Sequence, residues 1–186
     1  MTAPDDFARP LALTRDCTAA LIPQGTKITL EAGTTVLVTQ ALGGSVTVNV
    51  NGNLARIAAS DLDALGMTAS AEPVREAAAV DGVVDESLVW DQLRTCYDPE
   101  IPINIVELGL IYRCEIVTLA EGGNRVEIDM TLTAPGCGMG PILVDDVTAK
   151  VREIAHVTDV KVDLTFDPPW HSDMMSDAAR LETGMY

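Results

Sequence analysis

The first third of the chain alternates β-branched and polar residues, which is the period of a half-buried β-strand. This alternation runs over residues 34–39 and again over 46–50. Asn51-Gly52 then separates the second run from residues 54–57, and this dipeptide between alternating runs is a strong hairpin signal. We therefore predict a small all-β N-terminal domain over residues 1–70, a meander or small barrel of about four strands.

Residues 71–84 lack this alternation and are rich in alanine, with Pro73 and Gly82 as breakers of regular structure. We interpret the segment as a linker between two domains. The second domain is then expected over residues 85–186.

The second domain begins with a helical pattern. Asp85 is suited to cap a helix over residues 86–97, which must end before Pro99 because proline disfavours helical geometry in the residue before it. Two alternating runs follow, over residues 108–117 and 126–132. They are expected to form an antiparallel hairpin.

A glycine-rich loop follows the hairpin and leads into a second helix, for which Pro141 suits the first turn. A last strand is expected over residues 159–166, parallel to its neighbour because a helical crossover joins the two. The fold class is therefore α+β, a two-layer domain with helices on one face of a small mixed sheet, preceded by the all-β domain. The helix is expected to face the sheet with an apolar stripe at helical spacing, which consists of Leu143, Val147, Val151 and Ile154.

The composition excludes several classes of partner. Lys and Arg total 12 against 28 Asp and Glu, so the net charge is −16. Such a chain is repelled by nucleic acids and by phospholipid surfaces, and we expect neither as a partner. The segment over residues 1–10 carries Asp5, Asp6 and Arg9 where a secretory signal would be apolar. We therefore expect a cytoplasmic protein whose thiols are reduced.

Four cysteines are the main candidates for chemistry. Cys137 stands between glycines at the start of a predicted helix, and a helix N-terminus is expected to lower the pKa of its thiol. The thiolate is the form that binds a metal or attacks a substrate, so Cys137 is the best candidate. Cys114 and Cys96 lie on apolar faces and are interpreted as core thiols, whereas the surroundings of Cys17 indicate no role.

Other motifs carry weaker signals. The glycines at positions 136, 138 and 140 do not match a dinucleotide loop, and no P-loop lysine follows them. The acidic residues of segment 98–100 and Asp167 could serve a metal or acid–base chemistry, although most such loop residues are solvated or cap helices. His171, which follows the rigid segment 168–170, is a candidate further metal ligand.

Several segments together resemble the metal–sulfur cluster biosynthesis domain family. They are Asp98-Pro-Glu-Ile-Pro102, the run over residues 107–112, and Thr133-Ala-Pro-Gly-Cys137. Asp167-Pro-Pro-Trp170, followed by Met174-Met-Ser176, is similar to the SufT group of that family in particular.

The resemblance implies an iron–sulfur cluster assembly or maturation factor rather than an enzyme, with Cys137 as the reactive position. By the same match Asp98, Glu100 and Thr133 belong to the surface around it, and Trp170 is assigned to that functional surface too. The implied partners are the iron–sulfur assembly machinery and apo client proteins, and a homo-oligomer is a further option. The implied cargo is a transient iron–sulfur cluster or iron, held by Cys137 with His171 as a further ligand.

The number of accessible thiols favours transfer of an iron–sulfur cluster over its storage. An ordinary cluster takes about four thiolates, so one accessible cysteine per chain favours a brief contact. Two alternatives stay open. One is an enzyme with Cys137 as nucleophile and His156 or His171 as its base. The other is a protein interaction module without cluster chemistry, which binds clients through the open sheet face and the β-rich part.

Overall fold

The computed structural model describes residues 10–68 and 82–184. The chain divides into two compact units, residues 1–72 and residues 73–186. The segment interpreted as lacking a secretory signal lies almost wholly outside the described residues.

The linker predicted over residues 71–84 also lies largely outside the described residues, and only its last three positions can be examined. Val84 is buried in the core of the second unit. The carbonyl of Gly82 accepts a hydrogen bond of 2.9 Å from the side-chain amide of Asn124. These last positions are therefore part of the second unit.

The first unit is an antiparallel sheet, which confirms the all-β prediction, but the sheet has six strands rather than about four. The missed strands precede the alternating runs, where sequences such as Cys-Thr-Ala-Ala-Leu are too rich in small residues to show a clear period. The strand order is β1-β4-β5-β6-β2-β3. The strands are β1 (Pro10–Ala12), β2 (Cys17–Leu21), β3 (Lys27–Leu30), β4 (Thr35–Leu42), β5 (Ser45–Val50) and β6 (Asn53–Ile57).

The alternating strands of the first unit form its core. Val36, Val46, Val48 and Ile57 are almost fully buried, because alternate residues of these strands point to one side of the sheet. The predicted hairpin turn lies between β5 and β6. The two strands pair antiparallel along their length, starting at Val50 beside the turn.

The second unit is a mixed three-stranded sheet with helices, and its elements follow the predicted order up to the last strand. A short helix after that strand was not predicted. The sheet order is β7-β8-β9, and β8 pairs antiparallel with β7 and parallel with β9, as predicted. The elements are α1 (Glu86–Arg94), β7 (Ile111–Thr118), β8 (Asn124–Met130), α2 (Gly140–Arg152), β9 (Val157–Leu164) and α3 (Asp177–Thr183).

Helix α1 begins as predicted and ends early. The Asp85 carboxylate accepts a hydrogen bond of 2.9 Å from the Ser87 N–H, which caps the first turn. The helix ends at Arg94 because both the N–H and the hydroxyl of Thr95 bond back to the carbonyl of Gln92. None of the helices in the described residues is long and apolar enough to cross a membrane.

The two faces of this sheet differ in chemistry. One face packs against the helices, and there Val126, Ile128 and Met130 of β8 are fully buried. The other face carries ion pairs between neighbouring strands, with Nε–Oδ2 distances of 2.6 Å. The predicted two-layer arrangement, with helices on one face, is therefore confirmed. These cross-strand pairs join Arg113 to Asp129 and Arg125 to Asp159.

The segment that follows β9 packs against the turn that precedes β7. The indole N–H of Trp170 donates to the carbonyl of Leu108 at 2.8 Å. The hydroxyl of Tyr112 donates to the carbonyl of Pro168, also at 2.8 Å. The C-terminal segment is thus held at two points by bonds to residues near the start of β7.

Candidate functional site

Cys137 lies in the loop between β8 and α2. Its N–H donates to the carbonyl of Ala134 at 3.3 Å, and its own carbonyl accepts from the N–H of Gly140 at 3.1 Å. Gly136 adopts a φ of +79°, which a residue with a side chain rarely adopts, and open space surrounds it. The loop therefore turns tightly just before α2 and leaves the thiol partly exposed.

The thiol contacts one carboxylate. The Cys137 Sγ donates to Oε1 of Glu100 at 3.6 Å, across 37 positions of sequence. Glu100 is held by the neighbouring Asp98, whose carboxylate accepts from the N–H groups of Glu100 and Ile101 at 2.8 and 2.9 Å. Asp98 itself is only 6% exposed, so it contributes to this site by fixing the loop and not as part of the accessible surface.

The electrostatics of the site differ from the sequence-based expectation. Burial raises the pKa of the Cys137 thiol, and the negative charge and hydrogen bond of Glu100 raise it further. The hydrogen bond from the Met139 N–H lowers this pKa, but it does not outweigh the other contributions. The expectation of a lowered pKa was wrong, because these surroundings disfavour the thiolate of Cys137.

The remaining cysteines form no disulfide and lie in packed surroundings. Cys17 and Cys96 are buried, and Cys114 is partly buried against the core of the second unit. Burial raises the pKa of Cys114 to about 11. Cys137 is the member of the set that combines partial exposure with a loop position.

The other candidate residues do not join Cys137 in a group of metal ligands. Within residues 10–68 and 82–184, no group of three or more His, Cys, Asp or Glu side chains could hold a metal ion. His171 is exposed, and its Nδ1 lies 3.5 Å from Oδ2 of Asp173. Trp170 fixes the C-terminal segment, Thr133 is half-buried at the start of the Cys137 loop, and His156 is exposed before β9.

Cys137 is expected to react slowly with iodoacetamide at neutral pH and faster as the pH rises toward its raised pKa. Replacing Glu100 by glutamine removes the negative charge that disfavours the thiolate, so the alkylation rate at neutral pH should rise several-fold. Peptide mass spectrometry of timed samples measures this rate, with Cys114 as an internal slow reference. Glu115→Gln, on the exposed side of β7, is the matched control; an unchanged or slower rate in Glu100→Gln would contradict the geometry.

The pairing of Glu100 with Cys137 is the feature that inspection of the sequence missed. Both residues belong to motifs of the resemblance, but their spacing along the chain carries no sign of contact. Only the fold brings the loop after α1 to the loop before α2.

Comparison with known proteins identifies the family of the second unit. Residues 86–164 match the family model described as "Iron-sulfur cluster assembly protein". The chain is 50% identical over 92 residues to the "Fe-S protein maturation auxiliary factor" of Porphyromonas gingivalis, which covers 50% of this chain and 84% of that protein. It is 40% identical to the "Fe-S protein maturation auxiliary factor SufT" of Staphylococcus aureus, over 47% of this chain and 96% of that protein.

A third relative points the same way. The "Fe-S protein maturation auxiliary factor YitW" of Bacillus subtilis is 39% identical, over 52% of this chain and 91% of that protein. These relatives are matched over nearly their whole length, and the resemblance drawn from the motifs is confirmed. The chain belongs to the iron–sulfur cluster assembly protein family.

Proposed function

We propose that this protein is an auxiliary factor of iron–sulfur protein maturation, which receives a cluster or iron as cargo on Cys137 and passes it on. The observation that carries the proposal is the partly exposed thiol of Cys137 against the Glu100 carboxylate, inside the segment that matches the family. The names of the relatives support maturation as the process. They also favour an auxiliary factor over an enzyme.

The ligand set supports brief contact with the cargo rather than storage. An ordinary cluster takes about four thiolates, and the site offers the sulfur of Cys137 with one carboxylate beside it. Sulfur and carboxylate oxygen both bind iron, so this pair can hold the cargo from one side. The remaining ligands would come from the donor or from the apo client, which suits a handover.

The raised pKa of the Cys137 thiol supports the same role. A nucleophilic enzyme needs an activated thiolate, usually with a histidine base beside it. Here burial, together with the charge and hydrogen bond of the Glu100 carboxylate, raises the pKa of the thiol and disfavours the thiolate. The alternative of a cysteine-dependent enzyme is therefore disfavoured.

The surface around Cys137 is proposed to dock the assembly machinery and apo clients in the cytoplasm. Thr133 and Glu100 border the loop, and Trp170 and His171 of the C-terminal segment are proposed to belong to the same docking surface. Partners that approach this acidic chain, of net charge −16, are expected to present basic or neutral surfaces.

Removal of the protein from its host is expected to lower the specific activity and iron content of purified iron–sulfur enzymes, while their polypeptide amounts stay unchanged. Return of the wild-type gene should restore both quantities. A zinc enzyme from the same cells is the control, since its metal does not depend on cluster maturation. Full iron content of the iron–sulfur enzymes in the depleted cells would contradict the proposed function.

A further inference from the structure

Strand β9 forms one edge of the three-stranded sheet, and its free side is defined by the hydrogen-bond pattern. The N–H of Thr165, just beyond β9, donates to the carbonyl of Met130 at 2.8 Å, so Thr165 points toward the neighbouring strand. In a parallel pair the residues of one strand point alternately toward and away from the partner. The backbone groups of Val160, Val162 and Leu164 therefore point away from the sheet.

A second contact agrees with this assignment. The N–H of Val160 donates to the Asp159 carboxylate beside it in the chain, at 3.0 Å, instead of to a carbonyl of β8. Unpaired backbone groups on an edge are a template for a further strand. Among the described residues no strand pairs with the outward side of β9. A further strand could therefore pair there, with the Val160 N–H exchanging its bond to Asp159 for a bond in the new ladder.

The side chains at this edge carry both apolar surface and opposite charges. Leu164 is 37% exposed, and Phe166 just beyond the strand is 42% exposed. On the charged face of the sheet, Lys161 Nζ and Asp163 Oδ2 are 2.7 Å apart and both side chains are exposed. A strand that pairs here would need a complementary pattern of apolar and charged residues.

We propose that the edge of β9 pairs antiparallel with the same edge of a second copy of this chain, about a two-fold axis at Val162. Such an interface is isologous, because each residue that contacts a second residue is itself contacted by the copy of that residue. The proposal concerns assembly and does not depend on the role of Cys137.

Two conditions select the position of the axis. Residues that face each other across an antiparallel ladder must both point outward or both point inward, so the axis passes through a residue and not between two. An axis at Lys161 or at Asp163 would set that charge directly against its own copy, which is unfavourable. An axis at Val160 would place Leu164 beyond the end of the opposite strand, because β9 begins at Val157. An axis at Leu164 would place Val160 beyond the end of the opposite strand, because β9 ends at Leu164.

The axis at Val162 satisfies both the charges and the apolar residues. Each Lys161 then lies opposite Asp163 of the second copy, which gives two cross-strand ion pairs. Each Val160 lies opposite Leu164 of the second copy, so the exposed part of Leu164 is covered. Each copy of β9 thus supplies both the charges and the apolar residues that complement the other copy. This favours a second copy of the chain over an unrelated segment as the partner.

A charge-swap series tests the pairing. Sedimentation equilibrium with reductant, in about 0.15 M salt to screen the net charge, should show a concentration-dependent dimer for the wild type. Lys161→Asp and Asp163→Lys should each give monomer over the same range, because each sets two like charges face to face. The double variant Lys161→Asp with Asp163→Lys restores opposite charges and should restore the dimer.

Two further measurements separate pairing from misfolding. Circular dichroism should be the same for all four proteins, because the exchanged side chains are exposed. Hydrogen exchange at the amide of Val162 should slow as the wild-type concentration rises. A monomeric wild type, single variants that dimerise as the wild type does, or a double variant that stays monomeric while its dichroism is native would overturn the proposal.

Discussion

Gly109→Ala is expected to lower the free energy of unfolding of the second unit by more than about 2 kcal/mol. Gly109 adopts a φ of +69°, and a Cβ at this position would lie 2.1 Å from the carbonyl oxygen of Met174. That oxygen belongs to the backbone and cannot move as a flexible side chain would. The C-terminal segment would have to leave the turn, and its bonds from Trp170 and Tyr112 would be lost.

Gly184→Ala is the matched control for this prediction. Gly184 has the same φ of +69°, but a Cβ at this position would meet no atom of the described residues within 4 Å. Its cost is therefore that of the backbone conformation alone, about 1 kcal/mol. Urea unfolding of both variants measures the difference, and equal losses of stability would show that the contact with Met174 has no energetic importance.

Cys137→Ser is expected to lower the maturation of iron–sulfur enzymes in cells by about tenfold or more, to the level of a strain without the protein. The hydroxyl of serine has nearly the shape of the thiol, but it lacks the sulfur that binds a cluster or iron as a thiolate. The backbone bonds of the loop involve the N–H and carbonyl of residue 137 and are kept, so the fold should not change.

Cys114→Ser is the control for this substitution. Cys114 lies on β7, partly buried against the core, and its thiol is even less acidic than usual. Its replacement removes one sulfur from the same unit without touching the loop, and enzyme activities should remain near the wild-type level. Equal activities in the two variants would remove the cysteine loop from the proposed mechanism.

Periodicity predicted the second unit from α1 to β9, because α1, α2 and β8 each bury one apolar face. It did not predict α3, a short helix in which Ala179 is the buried residue. The limits of β7 were less accurate, since the alternation starts at residue 108 whereas the strand starts at Ile111. The preceding residues form a turn in which the Asn104 side chain accepts from the N–H groups of Val106 and Glu107. Local side-chain bonds of this kind override an apolar period.

The candidate site was predicted only in part. The glycines around Cys137 mark a loop at a helix start, and this is visible in the sequence. The contact with Glu100 depends on how two distant loops meet, and the direction of the pKa shift depends on burial and on that contact. The expectation that a helix N-terminus lowers the pKa of a thiol takes no account of burial or of a carboxylate from a distant loop.

The most direct test of the central claim is anaerobic incubation of the protein with ferrous iron and sulfide, followed by desalting and measurement of bound iron and of transfer to an apo client. Wild type and Cys114→Ser should take up iron and pass it on to the same extent. Cys137→Ser should retain far less iron and transfer little. Equal uptake and transfer by Cys137→Ser would contradict the account, because the cargo would then not depend on the loop thiol.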